Sequence, residues 1–362
     1  LTRAVRTPAL AAAPAEARAL GRYRRRAIVA AAIGVAALLA ALVAGVAAGS
    51  VFVPPGDTLA ILAYRLLGIG VERTWPDAAE TIVIDLRLPR VLTAMIVGAG
   101  LAVAGTALQG LFRNPLADPY VLGTASGAAL GAALAVLIPV RSLVLEFGLL
   151  HGLAFAGALG AVTLVYQLAR TSGLAPMTGL LLTGYAVGSL LAAGLALAMY
   201  ASGTGLRQIF AFLLGGFAAA SWVRLAVAAP LILVGIAAIL LRARSLNGLL
   251  LGDETAAHLG IDVRRERALL LGSASLVTAA GVAISGLVGF VGLVVPHVVR
   301  LLVGPGARLV LPLSALFGAS LLAAADLVAR LFGEIPVGVV TAMIGAPFFL
   351  VLLRRARSAY EL

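Results

Sequence analysis

Long apolar runs, separated by short segments that carry the charges, recur along the chain from Ala27 to Leu353. Few folds accept such a pattern. A helix needs about 20 apolar residues to cross the hydrocarbon core of a bilayer. Inside that core every backbone polar group must find its partner within the protein, which a helix provides. The runs predict ten spanning helices at 27–49, 91–111, 120–136, 147–170, 179–200, 222–241, 268–284, 287–303, 309–332 and 335–353. The expected fold is therefore an all-α, polytopic membrane protein.

Composition narrows the function. The chain is 62% hydrophobic and only 12% charged, which is not a soluble composition. Its net charge is +12, and every basic residue is an arginine. A basic chain raises the question of nucleic acid. Here the arginines lie between apolar spans, so membrane topology accounts for them and no nucleic-acid partner is expected. There is no cysteine, so disulfides, thiolate metal sites and cysteine nucleophiles are excluded. There is no lysine, so a phosphate-binding loop of the G-x-x-x-x-G-K-[ST] type is impossible.

Residues 1–21, with Pro8, Pro14 and scattered arginines, read as disordered, and residues 1–26 together as the cytoplasmic N-terminal tail. Basic residues ahead of an apolar run also open a signal peptide. The run after Arg26 is longer than the 7–15 residues of a signal core, so a retained first helix is expected. With the N-terminus in the cytoplasm, 19 of the 27 arginines fall inside, and both termini are cytoplasmic. Residues 50–85 form a polar excursion on the other side, and Trp222 reads as an interfacial anchor. Gly123, Gly127 and Gly131 recur every four residues and predict a close helix approach, as do Gly98 and Ala102. Spacing does not say whether the partner helix belongs to this chain or to a second copy.

Between the second and third spans lies a polar hinge, 112–119, with Pro115 and Pro119. This stretch carries a resemblance. Leu88-Pro89-Arg90, then Asn114-Pro115-Leu116-Ala117-Asp118-Pro119, then the block Gly289–His297 (GFVGLVVPH), 322–330 (LAAADLVAR) and 335–347 (IPVGVVTAMIGAP) are similar in kind and order to the permeases that import iron–siderophore complexes, heme and vitamin B12. Those are the membrane subunits of type II ABC importers. The resemblance covers residues 81–353. It implies a single permease domain at 27–354 with a short cytoplasmic tail at 355–362. It also implies a homodimer of permeases in a bacterial inner membrane, two separate ATPase subunits that bind ATP and magnesium, and an extracytoplasmic binding protein. The chain itself would be a transport permease with no cofactor, no metal and no catalytic residue.

Several residues acquire candidate roles. Residues 246–263 (LNGLLLGDETAAHLGIDV) hold a short helix in which Asp253 suits the N-cap, Glu254 the first turn and Gly260 the exit. By resemblance this is the coupling region, with Gly252, Asp253, Glu254, Ala256, Leu259 and Gly260 addressed to the ATPase. An ordinary loop is the plainer reading. Arg87, Arg90 and Arg330 match positions with which such permeases grip glutamates on the binding protein. The plainer readings are snorkelling and, for Arg330, neutralisation by Asp326 on the same helix. Asn114, Pro115 and Leu116 match one cytoplasmic gate, and Met177 and Thr178 a second, where Met177 departs from the usual small hydroxyl residue. Turn chemistry alone also explains Asn and Pro there. His151, His258 and His297 are too dispersed for a metal site. Gln109 reads as a packing hydrogen bond.

Three classes of function compete. An ABC importer permease moving a bulky metal chelate by alternating access leads, with heme or a ferric siderophore ahead of a corrinoid. An intramembrane enzyme would need a nucleophile–base set or metal cluster in the spans, and none is apparent. An ion-coupled carrier would need acids at mid-membrane, where Asp326 is the one clear candidate.

Overall fold

The computed structural model describes residues 13–49, 51–70, 73–138, 148–171 and 176–358. Among the described residues there are helices and no strands. In chain order they are α1 (Ala13–Ala47), α2 (Pro55–Leu67), α3 (Asp77–Thr81), α4 (Leu88–Leu111), α5 (Thr124–Leu137), α6 (Gly148–Thr171), α7 (Pro176–Ala201) and α8 (Leu206–Leu214). They continue as α9 (Trp222–Leu241), α10 (Ala243–Leu250), α11 (Asp253–His258), α12 (Val263–Ser285), α13 (Val291–Val303), α14 (Ala307–Leu331) and α15 (Val337–Ser358). Among the described residues seven stretches are long and apolar enough to cross a membrane, and α5, α13 and α15 supply three shorter apolar helices. Each of the ten expected spans thus has its helix. Residues 1–12 of the expected tail and residues 359–362 lie outside the described residues. The tail expected through residue 26 is helical from Ala13, where α1 begins.

The bundle is built around α4. Its apolar stretch is 83% buried, against 11% for α1, so α4 is the hub and α1 the periphery. It packs against α14, α12, α13 and α9, while α5 packs against α6 and α7 as a second group. Small residues set these contacts. A methyl group on Gly98 would collide with the carbonyl oxygen of Gly318, and one on Gly318 with that of Gly98, so α4 and α14 touch backbone to backbone. Gly127 on α5 meets Gly157 on α6 in the same way. The partner of the α5 stripe is therefore in this chain. Close approach of this kind supplies packing where lipid offers no hydrophobic drive. Gly123 does not belong to the stripe; it adopts φ 77° in the turn before α5.

Two of the shifts in the expected boundaries have a clear cause. The expected second span, 91–111, leaves Arg87 and Arg90 ahead of it, but the helix already starts at Asp77 and runs to Leu111, with a π-helical turn at Ile82–Arg87. The reason is Pro89, which would clash with the preceding turn of an α-helix. A π-turn widens the backbone just before it. Pro89 also has no N–H for the carbonyl five residues earlier, and the indole N–H of Trp222 donates to that oxygen on Ile84 instead (3.0 Å). The span expected at 287–303 shortens to α13, because Gly286 and Phe290 both have positive φ. The non-helical segment between them is tolerated at membrane depth because protein surrounds it. The Tyr120 hydroxyl donates to Val288 O (2.9 Å) and accepts from Val288 N (3.1 Å), and Leu287 N donates to Phe212 O (3.2 Å).

Candidate functional site

At one end of the bundle, the polar segment after α9 folds into a hairpin of α10 and α11. Leu246 and Leu249 of α10 are buried, and Leu246 fills the space beside Gly110 at the end of α4. Asn247 accepts a hydrogen bond from Ala307 N (2.8 Å), which caps the start of α14. Helix α11 closes as a Schellman turn: Gly260 N donates to Ala257 O (2.9 Å) and Ile261 N to Ala256 O (3.0 Å), with Gly260 at φ 77°. Gly260 is thus the exit residue that the sequence predicts, and Glu254 sits in the first turn. Two assignments change. Asp253 does not cap the helix; Gly252 occupies that place, with φ 118°. Ala256 is fully buried within its own chain and offers nothing to a partner, whereas Leu259 is 63% exposed.

Asp253 has a different task. Its carboxylate accepts from Arg267 Nη2 (2.6 Å) and pairs with Arg113, whose Nε also donates to Leu249 O (2.9 Å). Arg113, at φ 49°, opens the hinge after α4. The clasp joins three elements: the hinge, the α10–α11 hairpin and the first turns of α12. In the hinge itself Asn114 Oδ1 accepts from Leu116 N (2.9 Å), an Asx turn. Asn114 and Pro115 are exposed and Leu116 half-buried. Asp118 accepts from Tyr120 N (2.8 Å), and burial pushes its carboxyl above the ordinary range. Met177 and Thr178 lie in the first turn of α7, where Thr178 is exposed.

The opposite end gathers the three arginines. Arg87 is buried and donates to Val46 O (3.1 Å), Ala47 O (2.7 Å) and Val51 O, at the C-terminal end of α1. Arg330 is buried too, donating to Gly45 O (2.8 Å) and Ala48 O (3.1 Å) while pairing with Asp326 (3.2 Å). Helix C-terminal carbonyls attract cations, so both guanidiniums turn inward. Arg90 bridges α4 to Asp326 (3.0 Å) and makes a two-pronged contact with Glu334 (3.2 and 2.9 Å). Glu334 is exposed and holds φ 59°. Asp326 is completely buried between two arginines, a fixed counterion rather than a free mid-membrane acid. Beside this cluster lies a chamber of about 370 Å³ lined by Arg90, Gln208, Phe212, Ser285 and Glu334.

Gln109 packs as the sequence predicts. Pro296 cannot donate to Gly292 O, and Gln109 Nε2 does so instead (3.1 Å), while its Oε1 accepts from Arg300. Among the described residues no three His, Asp or Glu side chains converge on a point that would hold a metal.

The FecCD transport family profile matches residues 19–355. The chain belongs to the FecCD transport family. It is 45% identical over 301 residues to the cobalamin import system permease BtuC of Halobacterium salinarum, covering 83% of this chain and 79% of that protein. It is 44% identical over 287 residues to the hemin transport permease HmuU of Yersinia pestis, covering 78% and 85%. A solved inward-facing conformation of a metal-chelate type ABC transporter superposes with a TM-score of 0.71 at 34% identity, over 83% of this chain and 98% of that one. The chain is thus a multi-span permease subunit of an ABC importer. FecCD permeases transport; they are not enzymes and bind no cofactor of their own.

Sequence reasoning passed over Arg113 and Arg267, which it counted only for topology. The available signal was their placement, one beside an Asn-Pro hinge and one immediately ahead of an expected span. It also missed Glu334, which carries no motif.

Proposed function

We propose that this FecCD permease forms a homodimer in a bacterial inner membrane, joined by two ATPase subunits carrying ATP and magnesium and served by an extracytoplasmic binding protein. Its cargo is a bulky metal chelate, heme or a ferric siderophore. Alternating access is driven from the α10–α11 hairpin, whose exposed Glu254 and Leu259 meet the ATPase while Gly252 and Gly260 shape its ends. The observation that carries this reading is the Asp253 clasp, because it ties that hairpin to the hinge bearing Asn114, Pro115 and Leu116. A push on α11 then reaches the first gate through the Asp253–Arg113 ion pair, and Met177 and Thr178 form the second. At the other end Arg90 is the arginine that meets the binding protein. Arg87 and Arg330 contribute by fixing the surface around it.

A corrinoid cargo is the second reading, favoured by the similarity to the Halobacterium permease, 45% identical against 44% for the hemin permease. The test is uptake into proteoliposomes containing the assembled complex and its cognate binding protein. Labelled hemin, a ferric siderophore and cobalamin are supplied in turn. ATP-dependent accumulation of hemin or siderophore supports the first reading, and accumulation of cobalamin alone supports the second. Accumulation driven by a proton gradient without ATP would overturn both.

A further inference from the structure

A groove of about 440 Å³ opens at the end of the bundle that carries the α10–α11 hairpin. Its apolar wall includes Leu111 at the end of α4, Leu180 near the start of α7 and Leu271 on α12. Three arginines line it: Arg170 in the last turn of α6, and Arg264 and Arg267 in the first turns of α12. Among the described residues that line it there is no carboxylate. Neighbouring acids are already engaged: Asp253 faces Arg113 and Arg267, Glu266 lies 3.7 Å from Arg242, and Asp262 caps α12 through Arg265 N. Arg170 lies over the ring of Tyr166, 5.8 Å from its centroid, and this fixes the guanidinium at the edge of the groove. Arg267 spends one nitrogen on Asp253, and its Nε is buried without a hydrogen-bond partner.

We propose that this groove binds an anionic phospholipid of the cytoplasmic leaflet, its phosphate held by Arg170, Arg264 and Arg267 and its acyl chains laid along the apolar wall, where Tyr166, Val263 and Ala268 are the more open residues. Every lining element meets the groove at a span terminus, which is the depth of lipid headgroups. Arg170 and Arg264 have no carboxylate partner among the described residues and Arg267 shares Asp253 with Arg113, so a net positive charge faces the groove and matches a phosphate, while the apolar wall matches hydrocarbon rather than a free ion. Basic pockets between spanning helices on the cytoplasmic side are the usual form of such recognition. The assignment to that leaflet rests on the orientation proposed above. Because Arg267 also holds Asp253, a bound headgroup sits one residue away from the clasp between hairpin and hinge.

The test is native mass spectrometry of the purified full-length permease in detergent, titrated with phosphatidylglycerol, phosphatidylcholine or inorganic phosphate. Phosphatidylglycerol is expected to be retained in preference to phosphatidylcholine, and millimolar phosphate is expected not to displace it. The double variant Arg170→Gln, Arg264→Gln leaves the clasp intact. With each arginine worth about a factor of five to an anionic headgroup, it should bind phosphatidylglycerol about 25-fold more weakly. Should that variant lose its helical circular dichroism, the single Arg264→Gln variant, at an exposed position, is read instead, with about fivefold weakening expected. Equal retention of both lipids, or wild-type retention by the variant, overturns the proposal. Displacement by phosphate overturns the lipid and leaves a simple anion site. Reporter fusions that reversed the topology would move the groove to the other leaflet without changing retention, so the two failures are distinguishable.

Discussion

At the scale of single residues, this permease uses arginine in two opposite ways. Arg87 and Arg330 are interior fasteners that close off the carbonyl end of α1, and Arg90 is a bridge from α4 toward the surface. Arg90 and Arg330 share the buried Asp326. Removing one partner of a buried ionic cluster costs about 3–5 kcal/mol, because the charges left behind are uncompensated. Asp326→Ala is therefore expected to destabilise the bundle severely, read as a large fall in the thermal unfolding midpoint in detergent. Glu334→Gln removes only the exposed arm of the cluster and should cost about 1 kcal/mol or less. It should also free Arg90 for a partner's carboxylate, so the same variant is expected to bind the delivery protein more tightly and with steeper salt dependence. Unchanged affinity in Glu334→Gln, with the fold intact, would remove Arg90 from the docking surface.

At the scale of elements, the hairpin of α10 and α11 has one buried and one exposed side. Ala256 is on the buried side, so Ala256→Arg should prevent the hairpin from closing and lower the yield of folded protein. Leu259→Arg, on the exposed side, should leave the yield and unfolding midpoint unchanged yet abolish co-purification with the ATPase. If both variants assemble normally, the hairpin is not the docking element. The clasp gives a separate expectation. Asp253→Asn loses the charge that holds Arg113 and Arg267, while the hairpin keeps its Schellman turn and its buried leucines. The assembled complex should then hydrolyse ATP with little transport, measured as a drop of tenfold or more in cargo moved per ATP. A normal ratio would show that motion reaches the hinge by another route. Nothing in the spacing of Arg113, Asp253 and Arg267 foretells this contact, because three residues so far apart in sequence meet only once α4, α11 and α12 are packed.

At the scale of the whole molecule, the sequence made legible what depends on local chemistry. Ten apolar runs became ten helices because bilayer thickness and backbone hydrogen bonding leave little choice. Gly260 ended its helix and Gln109 packed where expected, each from a property of the residue itself. What stayed hidden depended on neighbours: the π-turn that Pro89 demands, the broken entry to α13, the burial of Ala256 and the inward turn of Arg87. Orientation belongs to this scale as well. Reporter fusions after Ser245 and after Leu362 should both report the cytoplasm, since the opposite orientation would place most of the arginines outside. The division of labour is the last whole-molecule property and the most sharply testable. A chain without a single lysine cannot build the lysine-bearing loop that holds the nucleotide phosphates in P-loop ATPases. Its 62% hydrophobic composition is spent on spans around α4. The purified permease, freed of contaminating ATPases by a second affinity step, is therefore expected to release no phosphate above background in a coupled assay. Adding the separately purified ATPase subunit should restore hydrolysis, and a Leu259→Arg permease should leave that added activity unchanged from the ATPase alone. Phosphate release by the permease on its own, persisting through the second purification, would require a nucleotide site of an entirely different kind.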